Sequence, residues 1–258
     1  MNELFIASGG FDGVTYLGAL EYLHGNGLIS DLKKFYGCSI GSLIGAYYLS
    51  GYTPRKIISE LLKLDFKTFL NLEPKFNESI SLVNTHKFFD EMFKQLWDIY
   101  DIEITLGEFS EKVNCDVYFN VSNITDTTYE SLNNIQNPTI KLKDALRASM
   151  SVPLIFEPVK INDKLYIDGG CNNCHGVPFD NKFINGYAII GECRGPGRNY
   201  VTMVLDSMIR EIKPQACYTI ICKKSTHMSD IKDSLDKIDT MLLDMYEIGI
   251  NSAKEQLE

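Results

Sequence analysis

The chain has 258 residues, 45% of them hydrophobic and 23% charged, which suits a folded domain with a substantial core and excludes disorder as its dominant state. Its formal net charge of −9 repels the phosphate backbone of nucleic acids and disfavours broad docking on anionic membranes. No basic leader with a long apolar run is visible, and no stretch reaches the roughly 20 apolar residues that span a bilayer. The seven scattered cysteines fit reduced thiols. The expectation is a cytoplasmic protein, peripheral at most to membranes.

Leu4-Phe5-Ile6-Ala7 predicts a short buried strand. The glycine-rich turn Ser8-Gly9-Gly10-Phe11-Asp12-Gly13 follows, then a helix from Val14 to about Asn26 with Leu17, Leu20 and Leu23 on one side. Lys34-Phe35-Tyr36 leads as a second strand into a turn at Ser39, and a helix runs from about Ile40 to Ser50. Gly51 and Pro54 are expected to close that helix. Residues 55–110 read as mainly helical, with Phe88, Phe89, Met92, Phe93 and Leu96 on a packed face. Further strands are predicted at Asp116–Val121, Lys164–Ile167, Tyr187–Ile190 and Tyr218–Ile221, with helices at Lys143–Met150 and along Leu235–Ile248. Alternating strands and helices predict a parallel or mixed sheet with helices on both faces, and no linker or repeat divides the chain. In such folds sites form at the carboxyl ends of strands. Turns 8–13, 37–41 and 168–170 all lie at such ends.

Gly37-Cys38-Ser39-Ile40-Gly41 fits the G-x-S-x-G nucleophile elbow, where a sharp strand-to-helix turn strains the serine backbone and flanking glycines avoid collisions. Alone the pattern is weak, arising by chance in roughly one chain in ten of this length. The loop at Gly9, Gly10 and Gly13 offers backbone N–H groups for an oxyanion hole, or serves as a plain βα turn; the G-x-G-x-x-G dinucleotide spacing is absent. Asp168-Gly169-Gly170 ends a strand, and its aspartate can be a base or a turn former. Of the histidines, only His227 has room to complete a triad in the order serine, aspartate, histidine, and it sits in a polar stretch that reads as surface loop. Cys171-Asn172-Asn173-Cys174-His175 matches a haem-attachment string, but nothing signals export, so these read as ordinary buried or loop thiols.

Taken together and in order, the three turns resemble the patatin-like phospholipases. That family joins a glycine-rich oxyanion loop, a G-x-S-x-G serine and an Asp-Gly-Gly or Asp-Gly-Ala aspartate. Leu17-Gly18-Ala19-Leu20, the run Ala145 to Pro153, Phe156-Glu157-Pro158-Val159 and Tyr166-Ile167-Asp168-Gly169-Gly170 extend the resemblance over about residues 3–190. It implies a single patatin-like domain over 1–258, with a three-layer α/β/α fold around a mostly parallel sheet. It also implies a Ser39–Asp168 dyad without histidine, oxyanion donors at Gly9, Gly10 and Ile40, and no metal or other cofactor. Gly13, Gly37, Gly41, Gly169 and Gly170 would shape the loop and elbow. The implied activity is hydrolysis of acyl esters of glycerolipids, of phospholipase A or lysophospholipase type, with a glycerophospholipid as partner and transient contact with a membrane surface. Two departures stand out: Ser8 replaces the family's first loop glycine, and Asp12 replaces its basic residue. Asp12 brings a negative charge to the loop and motivates one rival, a non-catalytic lipid-binding or regulatory protein that keeps the fold; a second rival is an acyltransferase or thioesterase using the same serine.

Overall fold

The computed structural model describes residues 1–63, 75–76, 80–81, 85–178, 184–192, 212–223 and 238–258. Strand β1 (Glu3–Ile6) passes through a 3₁₀ turn (Gly10–Asp12) into α1 (Gly13–Gly25). β2 (Lys34–Cys38) turns sharply into α2 (Ile40–Leu49). Pro54, expected to close α2, instead opens α3 (Pro54–Leu61) at its first position, behind a Thr53 cap that accepts the Lys56 N–H at 3.2 Å. In the stretch predicted to be mainly helical, β3 (Lys75–Phe76) and β4 (Ile80–Ser81) form a small antiparallel pair before α4 (Thr85–Trp97) and α5 (Leu106–Val113). On α4, Phe89, Met92, Phe93 and Leu96 are buried, as their helical spacing predicts.

The chain continues through β5 (Asp116–Asn123), β6 (Thr128–Asn133), α6 (Leu142–Met150), β7 (Val159–Ile161) and β8 (Lys164–Asp168). β9 (Ile184–Gly191), β10 (Ala216–Cys222) and α7 (Ile238–Leu257) complete the described elements. The central sheet is mostly parallel: β10, β9, β1, β2 and β5 lie side by side in that order and all run the same way. Leu4, Phe5, Ile6 and Ala7 are all fully buried. Successive residues of a strand point to opposite faces, so both faces of the sheet are covered at β1. α1 crosses α7 closely at Gly18 and Gly249, where added side chains would strike the other helix's backbone. Among the described residues, no helix is long and apolar enough to cross a membrane.

One feature of register positions the site. Residues 118–120 of β5 pair with parallel β2 on one edge and antiparallel β6 on the other. Residues 121–123 pair with β6 and with antiparallel β8. β2 and β8 therefore share one edge of β5 and run toward each other. They stop on adjacent residues, with Cys38 opposite Asn120 and Asp168 opposite Val121. The ends of two strands far apart in sequence are thus brought head to head, and the turn after Cys38 is delivered beside Asp168.

Candidate active site

Ser39 occupies that turn with φ 55° and ψ −128°. A non-glycine residue in such a conformation costs on the order of 1–3 kcal/mol and persists only where its surroundings hold it. Here the hold is a buried polar network. The Ser39 N–H donates to Ser149 Oγ at 3.0 Å, and Ser149 Oγ donates to the Asn120 carbonyl at 2.8 Å. A hydroxyl has one proton. The 2.8 Å bond between Ser42 and Ser149 must then be donated by Ser42. Ser149 thus accepts two bonds and gives one, while Ser42, Asn120 and Ser149 are all fully buried. The elbow serine's own amide is spent on this network. The next amide, of Ile40, opens α2 and belongs to the donors that a helix N-terminus leaves without intrahelical partners. Gly41 lets α2 leave the turn, since a Cβ there would overlap the carbonyl oxygen of Ile6, and Gly37 sits against the Cα of Ser42.

Asp168 is only 3% exposed. Its Oδ1 accepts the Gly170 N–H at 2.7 Å and lies 3.8 Å from the Cys38 thiol, and its own N–H donates to the Ser151 carbonyl at 3.0 Å. The Ser39 side chain acts on the same carboxylate and pulls its pKa down. Burial, the dominant effect, pushes the Asp168 carboxyl up from 3.8 to about 6, against the opposing pull of Ser39, Gly170 and Cys38. Burial also raises the Cys38 thiol well above its ordinary value, so at neutral pH it remains a proton-bearing donor. Gly169 sits where a Cβ would fall 2.6 Å from the Asn120 carbonyl oxygen.

The glycine-rich loop is moored rather than loose. Ser8 N–H donates to the His175 carbonyl at 3.0 Å, Ser8 Oγ donates to the Cys174 carbonyl at 2.7 Å, and Tyr16 Oη donates to the Ser8 carbonyl at 2.9 Å. The serine that stands in place of a glycine therefore ties the loop to the segment after Asp168. Gly170 makes room for it, since a Cβ there would lie 2.8 Å from Ser8 Oγ. Gly9 packs against Tyr16, Gly13 against the Ile40 side chain, and Gly10 adopts a left-handed φ of 54° that favours glycine. Asp12 is the N-cap residue of α1, where the helix dipole favours negative charge. The loop and the elbow come together, with Gly13 touching Ile40 and Ser8 touching Gly170.

The Cys171–His175 string proves to be a strap. Its carbonyls at 174 and 175 hold Ser8, Asn173 Oδ1 accepts the Val177 N–H at 2.8 Å, and the Gly176 carbonyl accepts from Asn120 Nδ2 at 2.8 Å. His24 lies at the end of α1 and His86 at the start of α4, away from Ser39 along the chain and in the fold's periphery of exposed residues. His175 is buried, and His227 lies outside the described residues. Ser42, Asn120 and Ser149 are the site residues that sequence reasoning missed. The only local signal for them is that small polar residues stand at helix and strand positions whose neighbours are apolar.

The patatin-like phospholipase family profile matches residues 4–180. A probable lipid hydrolase of Invertebrate iridescent virus 6 is 31% identical over 192 residues, covering 70% of this chain and 64% of that protein. An uncharacterised protein of Acanthamoeba polyphaga mimivirus is 24% identical over 285 residues, covering 100% of this chain and 94% of that protein. The crystal structure of VipD from Legionella pneumophila superposes with a TM-score of 0.60 at 13% identity, covering 99% of this chain and 66% of that one. The chain thus spans a little under two thirds of the length of the viral lipid hydrolase and of VipD. The family match covers well over half of the sequence and includes the loop, the elbow and Asp168: the chain belongs to the patatin-like phospholipase family.

Proposed function

We propose that this chain is a single-domain serine lipid acyl hydrolase of phospholipase A or lysophospholipase type, acting through a Ser39–Asp168 dyad. The observation that carries the reading is a strained elbow serine delivered by strand register beside a buried aspartate, whose burial pushes its carboxyl up to about 6. An ordinary aspartate near 3.9 is a weak base; one raised toward neutrality is better matched to taking a serine proton.

In the proposed reaction Asp168 takes the Ser39 hydroxyl proton as Oγ attacks the ester carbonyl carbon. The oxyanion accepts hydrogen bonds from the amides of Gly9, Gly10 and Ile40, and losing one such donor typically costs about 2.7–4 kcal/mol. The C–O bond to the leaving alcohol breaks as Asp168 returns the proton to that oxygen. Water, deprotonated by Asp168, then attacks the acyl carbonyl carbon; the bond to Ser39 Oγ breaks as Asp168 returns the proton to that oxygen, and the fatty acid leaves with both residues restored. The oxyanion loop needs no basic side chain in this scheme, so Asp12 is compatible with it.

The substrate is read as a glycerophospholipid met at a membrane surface. Leu154 and Ile155 are 43% and 40% exposed in the turn that follows Ser151, the residue whose carbonyl holds the Asp168 amide. Two adjacent exposed aliphatic side chains shortly after that residue in the chain suit shallow contact with lipid. A panel of acyl esters and phospholipids assayed on wild type and Ser39→Ala tests the function. Turnover by wild type and none by Ser39→Ala is expected; equal turnover by both would overturn it.

A further inference from the structure

β5 does not stop where β2 does. Cys38, the last residue of β2, lies opposite Asn120, and β5 runs on through Val121, Ser122 and Asn123 to a turn at Ile124. Four residues at about 3.3 Å each carry that turn roughly 13 Å past the end of β2. The direction is that of the carboxyl ends of the parallel strands, the end at which β1 enters the glycine loop and β2 the elbow. A second turn, at residues 162–163, stands at the same end, because β7 is antiparallel to β8 and β8 is antiparallel to β5.

The two turns are tied to each other. The Ile124 N–H donates to the Leu165 carbonyl at 2.9 Å, the Leu165 N–H donates to Thr125 Oγ1 at 2.9 Å, and Lys164 pairs with Asp126 at 2.9 Å. Beneath them Asn123, only 1% exposed, accepts the Thr125 and Asp126 amides on its Oδ1 at 3.0 and 3.1 Å. On this support Ile124 and Leu165 are 43% and 39% exposed. Carried one step beyond Asn123 opposite Tyr166, the register sets Ile124 opposite Leu165, so the two side chains share a face. A pair of aliphatic side chains displayed together on a fixed, polar-rimmed projection marks a contact surface.

We infer that the paired turns are a foot that docks the protein on a zwitterionic phospholipid surface, with Ile124 and Leu165 entering its apolar boundary. The inference rests on the reading of the chain as a lipid acyl hydrolase. A bilayer approached by the carboxyl ends of the parallel strands meets the foot ahead of the elbow. The exposed charges around the pair are Asp126, Asp163, Lys160 and Lys164, which sum to zero, and the whole chain carries −9. Nothing in that set pulls toward anionic lipid, so the attraction comes from the aliphatic pair. Thr125, Thr127 and Thr128, all exposed beside it, offer hydroxyls at the depth of the head groups.

The test is co-flotation of the full chain with phosphatidylcholine vesicles. Wild type is compared with the double variant Ile124→Thr/Leu165→Thr, which removes hydrocarbon and keeps strand-forming residues at exposed positions. Wild type is expected to bind, and the double variant to bind about tenfold more weakly with kcat/KM for a soluble ester unchanged. Wild-type binding should change less than about twofold between roughly 50 and 500 mM salt and gain nothing from added anionic lipid. Leu165→Trp keeps the pair apolar; its fluorescence should move to shorter wavelength on adding vesicles, beyond any change from the native Trp97. Circular dichroism reports whether each variant folds; if the double variant does not, Leu165→Trp carries the test. Equal vesicle binding by wild type and the folded double variant, no spectral shift in Leu165→Trp, or binding that needs anionic lipid overturns the foot and leaves the hydrolase reading intact. So does a wild type that turns over a soluble ester and binds no vesicle. A double variant that loses soluble-ester turnover in step with vesicle binding makes the pair structural and also overturns it. Vesicle binding through the pair without turnover of any ester overturns the hydrolase reading and keeps the foot.

Discussion

Replacing Asp168 with asparagine should remove activity and at the same time stabilise the protein at neutral pH. The carboxyl is buried and raised from 3.8 to about 6. A rise of that size corresponds to about 3 kcal/mol of penalty for holding the group ionised in the folded state. The folded protein binds the proton more tightly than the unfolded chain, so stability falls as pH rises from about 4 to about 6. The penalty is fully present above about 6 and absent below the unfolded value near 4. Asparagine keeps an oxygen for the Gly170 and Ser39 donors but brings an amide NH₂ that needs a partner, which returns about 1–2 kcal/mol of the gain. The net expectation at pH 7.5 is a stabilisation of about 1–2 kcal/mol, or a melting temperature higher by roughly 2–8 °C. At pH 4 the difference should disappear or reverse. Thermal unfolding of wild type and Asp168→Asn at both pH values, beside an ester assay, checks it. Destabilisation at pH 7.5, or a difference independent of pH, would refute the claim that Asp168 is a strained, ionised base.

Three further outcomes follow from the same geometry. The kcat/KM for a soluble ester should fall about tenfold per pH unit below about 6 as Asp168 protonates, and a flat profile down to pH 4.5 would contradict its role. Ser149→Ala leaves the Ser39 amide, the Ser42 hydroxyl and the Asn120 carbonyl without their shared partner; it should cost about 1–3 kcal/mol of stability and lower kcat. Ser151→Ala, which loses only a bond to the Arg147 carbonyl, is the control expected to retain kcat. His175→Ala and His227→Ala should both retain turnover under a dyad mechanism. Loss in either, as complete as in Asp168→Ala, would require a histidine base.

What was legible in the sequence is local. The elbow, the glycine loop and the Asp-Gly-Gly turn each announce themselves by residue type, and all three lie at strand ends as predicted. The strand β6 was not predicted because Thr128–Asn133 mixes buried Tyr129 and Leu132 with Glu130, Ser131 and Asn133, blurring its alternation. β7 has three residues and follows a proline, too short for a period to show. The closure of α2 by Pro54 was misassigned because proline suits a helix start as well as a stop. The meeting of β2 and β8 on one edge of β5 is invisible locally, since register between distant strands is set by long-range packing. The Ser42–Ser149–Asn120 network escaped for the same reason: its members are 29 to 107 residues apart.

The proposed mechanism makes Ser39 a nucleophile activated by Asp168. It is tested most directly by a fluorophosphonate probe, which reacts with activated serines, followed by mass spectrometry of the labelled peptide. One adduct on Ser39 is expected in the wild-type protein, and none in Ser39→Ala or Asp168→Ala variants that remain folded. A folded wild-type protein that stays unlabelled, or an adduct on any other residue, would contradict it and favour a binding protein that keeps the fold without the chemistry.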